Sequence, residues 1–138
     1  MWAALLAAVS LIPAGCGSSR EKSGESRTGA PATASTADSR EVVGRIGRLL
    51  DRIARIYDPA APDASGELAA TAYLENYELI EDGVKDVAPD LNARLEPLLG
   101  AQLRKLIRTG APKAEIETAV RRAKALLDRA VPALVTAE

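Results

Sequence analysis

From residue 40 onward, apolar residues recur in steps of three and four, and proline or glycine cuts the pattern at three places. In the first run Val42, Ile46, Leu49, Ile53 and Ile56 alternate steps of four and three, with Val43, Leu50 and Tyr57 widening the stripe. That spacing predicts a helix over about 40–57 with one face built for a core. Asp38 or Ser39 can cap it, and Asp58-Pro59 and Pro62 stop it, because the residue before a proline is pushed out of helical geometry. A second helix is expected over about 66–87, with Ala69, Tyr73, Asn76, Ile80, Val84 and Val87 inward. Ala88-Pro89-Asp90 then reads as a turn with Asp90 as the next N-cap. The third helix, about 91–108, turns Leu91, Leu95, Leu98, Leu99, Leu103, Leu106 and Ile107 inward. Pro97 lies inside it and cannot donate to the carbonyl of Ala93, so a bend is expected there. Gly110 suits a C-terminal cap.

Pro112 stands where the first turn of a fourth helix would begin, and its stripe is Ile116, Val120, Ala123, Leu127, Ala130 and Leu134. Pro132 is expected to fray the last turn. The short connections after the second and third helices favour antiparallel neighbours. Four such stripes close most economically as an all-α, up-and-down four-helix bundle over 39–135.

Ahead of this pattern, an apolar run from Trp2 to Ile12 leads into Pro13, Ala14, Gly15 and Cys16, the one cysteine of the chain. Small residues before a cysteine are what a lipoprotein signal peptidase cuts, and the freed cysteine is the lipid acceptor. The reading is a signal peptide over 1–15 and lipidation at Cys16; an ordinary cleaved signal with an incidental cysteine is the alternative. About eleven apolar residues fall short of the roughly twenty that a spanning helix needs. Residues 17–37 carry Gly, Ser, Thr, Ala, Pro and scattered charges and no large apolar residue, so 16–38 is expected to be a disordered linker with a reach of roughly 25 Å. These features imply an extracytoplasmic, membrane-anchored protein of the cell envelope. Gly17 after the cysteine, where Asp would favour inner-membrane retention, leans toward the outer membrane in a Gram-negative host.

Composition narrows the chemistry. The chain has no histidine and no phenylalanine, and its single tryptophan is Trp2. Disulfides within the domain, thiolate zinc sites and histidine- or cysteine-based catalysis therefore drop out, and an enzyme is not expected. A net charge of −1 offers no basic excess for nucleic acid. The charge is uneven, however. The second helix carries Glu67, Glu75, Glu78, Glu81, Asp82 and Asp86 against Lys85, while the other helices are more basic than acidic. The simpler account is complementarity within the bundle, with pairs such as Glu81 and Lys85 supporting the helix.

Around its middle the second helix reads Ala72-Tyr73-Leu74-Glu75-Asn76-Tyr77-Glu78-Leu79-Ile80-Glu81. This stretch resembles the extracytoplasmic helical domain of bacterial oxidase-coupled iron permeases, in which an Ala-Tyr pair precedes an aromatic-Glu and a second Glu. The similarity continues through Asp90-Leu91-Asn92-Ala93-Arg94-Leu95-Glu96 and covers most of 40–135. The resemblance implies a module connected with iron uptake, with an iron permease or another membrane protein as partner. The chain lacks the Arg-Glu-x-x-Glu motifs of those permeases' membrane helices and the His-x-x-Glu motif of the more distant imelysin-like proteins. Any bound metal must then rest on oxygen ligands, which suits iron(III) or another hard cation. Glu78 and Glu81 are the candidate ligands, with Tyr73, Tyr77 and Glu75 as possible supports. The period places Tyr73 and Asn76 toward the core and Tyr77 at the edge of the stripe, where its hydroxyl could reach a carboxylate or a ligand. A ligand-free interaction module is the alternative function.

Overall fold

A computed structural model describes residues 36–136; the segments read as a signal peptide and a linker, as far as residue 35 and including Cys16, lie outside the described residues. The described chain is an all-α bundle of four helical rods. They are α1 (Thr36–Ile56), α2 (63–87), α3 (89–108) and α4 (Lys113–Thr136). Helix α1 packs on α2 and α4, and α3 also packs on α2 and α4, so α1 and α3 occupy opposite corners. Successive rods run antiparallel. Tyr77 meets Asn92, Tyr73 faces Gly100 and Gly66 faces Ile107, so α3 descends as α2 ascends. No helix among the described residues is long and apolar enough to cross a membrane.

The core is aliphatic, and Ile46, Leu50, Ile53, Leu95, Leu99, Leu103, Ile107, Ile116 and Leu127 are fully buried. Burial of each such side chain contributes about 1.5–3 kcal/mol. Ala69, Ala72, Ala123 and Ala130 fill the seams where helices approach closely. Every member of the expected α4 stripe is buried. In α1 the stripe is centred on Val43, Ile46, Leu50, Ile53 and Tyr57 instead, leaving Leu49 half-buried and Ile56 40% exposed. Tyr57 anchors that rotation: its hydroxyl donates to the carbonyl of Ala111 at 2.7 Å, tying the end of α1 to the α3–α4 turn.

The ends of the rods differ from the expected ones in detail. Helix α1 already runs from Thr36, so Asp38 lies in its first turn and Ser39 is buried rather than capping. Helix α2 starts at Asp63, and the Asp58 carboxylate closes the preceding turn by accepting from the Ala60 N–H at 2.9 Å. Ala88, not Asp90, stands at the N-cap of α3, because Pro89 takes the first helical position and its φ is preset for a helix. Asp90 falls in the first turn, where its charge still complements the helix dipole. The C-terminal cap at Gly110 is as expected, with φ +66°. Its N–H donates to Ile107 and that of Ala111 to Leu106, the paired bonds of a Schellman motif. Pro132 does not fray α4, which continues to Thr136; Pro132 and Asp128 both lie on the exposed face, where water can serve the carbonyl that the proline leaves without a donor.

Two departures from α geometry shape the rest. Residues Thr71–Tyr77 of α2 and Leu98–Gln102 of α3 are π-helical, with hydrogen bonds spanning five residues, such as Glu78 N–H to Tyr73 and Leu103 N–H to Leu98. The second segment begins directly after Pro97. The helix there widens and stays continuous, which is how the chain absorbs the missing donor.

Candidate functional site

The two widened segments face each other across the α2–α3 seam, and some of the side chains singled out in the sequence, Tyr73, Tyr77 and Glu81, lie there. An α-helix advances 100° per residue, whereas a wider turn advances less, so residues within and after it rotate backward relative to a straight helix. This rotation overturns the expected placement of the tyrosines. Tyr77 is fully buried, and Tyr73 is half-buried at the seam. Asn76 is buried as expected.

Each of these side chains has a defined partner. The Tyr77 hydroxyl donates to Asn92 Oδ1 at 2.6 Å, a buried link between α2 and α3. The Asn76 amide donates to the carbonyl of Thr71, five residues back, at 2.9 Å and accepts from Arg45 Nε of α1 at 3.1 Å. It serves the widened turn and locks α1 to it. The rings of Tyr73 and Tyr77 stack at 6.1 Å with 22° between planes. Gly100 makes room for Tyr73, since a Cβ at position 100 would lie 2.9 Å from the ring carbon Cζ. Beside this contact an open recess of 510 Å³ is lined by Tyr73, Ala93, Glu96, Pro97, Gly100 and Ala101.

The carboxylates are divided by the same rotation. Glu81 is half-buried at the seam, while Glu75 and Glu78 are exposed. Burial raises the Glu81 carboxyl above its usual value, and the neighbouring charges of Glu96, Asp82 and Glu78 raise it further; Lys85 opposes them without forming an ion pair. Burial also raises the hydroxyl of Tyr73, followed by the charges of Glu81, Glu96 and Glu78. For Tyr77 burial again leads, followed by Glu81 and Glu96. Glu75 takes no part in the seam and accepts from the hydroxyl of Thr71 at 3.3 Å.

The seam thus brings Glu81, Tyr73 and Tyr77 together and adds Glu96 from α3, which the sequence reading missed. A signal was present in Glu96-Pro97-Leu98-Leu99-Gly100, where a mid-helix glycine four residues after the acid marks a close approach. Chemically, the seam gathers carboxylate and phenol oxygens, and it can hold a proton at Glu81 above the usual carboxylate range. Among the described residues, no three acids are arranged to hold a metal ion between them. Comparison with protein-family models, with curated proteins and with solved structures returns no match for this chain.

Proposed function

We propose that the chain is a lipid-anchored, extracytoplasmic helical-bundle accessory of iron uptake, without a catalytic step of its own. It would be tethered through Cys16 and would present iron(III) to a membrane permease or dock on that permease. The observation that carries this reading is the gathering of Glu81, Glu96 and Tyr73 beside an open recess, with Glu78 close enough to be felt electrostatically. Carboxylate and phenol oxygens in that setting suit a hard cation bound weakly and released readily. The tether raises the concentration of the bundle near partners in the same membrane.

A second reading has its own support. Every described buried side-chain nitrogen and oxygen is already hydrogen-bonded within the bundle, as suits a ligand-free docking module. Calorimetric titration of the fragment 36–138, which contains the whole described core, separates the two. Iron(III) citrate, manganese and calcium are each titrated into the parent and into Glu78→Ala/Glu81→Ala. Micromolar binding that the double variant loses supports the uptake role; no heat with any of the three metals leaves the docking module.

A further inference from the structure

Three large apolar side chains among the described residues stand well open to solvent, and they fall on two neighbouring helices. Leu74 and Leu79, 49% and 56% exposed, lie on the outer face of α2, and Ile56, 40% exposed, lies on α1. Residues three and four apart share a helix face, so Leu79 is continued by Asp82 and then Asp86, both exposed. On α1 the matching ridge is Arg48, Arg52 and Ile56, again all exposed and in steps of four. One helix therefore displays leucine beside aspartates, and its neighbour displays isoleucine beside arginines.

The bundle does not use these charges internally. The ion pairs among the described residues, Glu41–Arg45 and Asp51–Lys124, involve neither ridge. The acids of α2 stand at spacings where like charges weaken a helix, with Glu78, Asp82 and Asp86 in steps of four. Lys85 is the one cation of the helix beside them, and it forms no ion pair with these acids.

We propose that the outer face of α2 is an interface for a second copy of this chain, whose α1 ridge of Arg48, Arg52 and Ile56 covers Leu79, Asp82 and Asp86. Opposite charge brings the ridges together and the exposed apolar side chains close against each other. Each copy carries both ridges on adjacent helices, so the contact can be made twice about a two-fold axis, the closed form that most soluble oligomers take. The interface rests on none of the metal reading, which concerns Glu81 and Glu96 at the inner seam.

Sedimentation velocity on the fragment 36–138 across a hundredfold range of concentration tests this, with circular dichroism confirming that each variant is folded. The parent is expected to dimerise, with a dissociation constant that rises at least tenfold between 50 mM and 500 mM NaCl. Asp82→Lys/Asp86→Lys and Arg48→Glu/Arg52→Glu are each expected to be monomeric, and an equimolar mixture of these two variants is expected to associate, because both ridge contacts of the mixed dimer are complementary, one with the parent charges and one with the charges exchanged. Leu74→Ser/Leu79→Ser is expected to weaken association at least tenfold. A parent that stays monomeric at millimolar concentration overturns the proposal. So does association that the charge reversals leave unchanged, or reversal variants that fail to associate when mixed.

Discussion

At the scale of single residues, Gly100 and Tyr73 show how one missing side chain shapes the α2–α3 seam. A β-carbon on residue 100 would lie 2.9 Å from Cζ of the Tyr73 ring, which also stacks on the ring of Tyr77. Gly100→Ala is therefore expected to push the ring out and to destabilise the bundle by about 1–3 kcal/mol, as overpacking does. Gly47 is the control. It is also inside a helix, but nothing stands within 4 Å of its missing β-carbon. Gly47→Ala is expected to stabilise by about 0.5–1 kcal/mol through the helix preference of alanine. Urea unfolding of both variants checks the pair, and equal effects at the two positions would mean that Tyr73 does not depend on the glycine.

At the scale of elements, the step of four in α3 explains why its helix widens. Leu91, Leu95, Leu99, Leu103 and Ile107 are all buried, yet on a straight α-helix those positions spread over about 160°. The wide turn at Leu98–Gln102 takes up the excess and keeps them on one face. Deleting exposed Ala101 shortens the step from Leu99 to Leu103 and lets a plain α-helix hold the stripe within about 80°. That variant is expected to melt within a few degrees of the parent, whereas deleting exposed Arg48 from regular α1 turns every later residue by about 100° and abolishes cooperative unfolding. Thermal melts followed by circular dichroism distinguish them. The same device marks the limit of what the sequence discloses. In α4, where the helix is regular, a fixed period identifies six of the eight buried positions from Ile116 to Leu134, and Ala119 and Leu126 flank that stripe. In α2 it puts Tyr77 at the edge of the stripe, because a period carries no sign of where a turn will widen. Glu78 and Glu81 were legible as acids on one helix, but their separation, and the arrival of Glu96 from α3, follow from that widening and from the facing of two helices. Ile56 was misread for a different reason: the stripe of α1 is turned by a hydrogen bond from Tyr57 to a backbone carbonyl more than fifty residues away.

At the scale of the whole bundle, charge is segregated by helix. Helix α2 holds seven acids against one lysine once Asp63 is included, whereas each of the other three has two more basic than acidic residues. Glu81 carries the cost of that concentration, since burial and then Glu96, Asp82 and Glu78 raise its folded-state pKa. A carboxyl whose pKa is higher folded than unfolded favours the folded state while protonated and opposes it once charged. The penalty is absent well below 4.5, grows as pH rises from there, and is complete once pH exceeds the raised folded value. Glu81→Gln is thus expected to gain stability over the parent at pH 7 and not at pH 3.5, measured by urea unfolding at both; an equal difference at the two would show that the effect is not one of charge. The same segregation makes a nearly neutral bundle strongly polar across its width, with the negative end at α2 and the positive end at the other three helices. Such a body feels a torque in a field that exerts almost no net force on it. Beside an anionic membrane surface it would turn its basic helices inward and hold α2 toward the aqueous side, oriented before any specific contact is made.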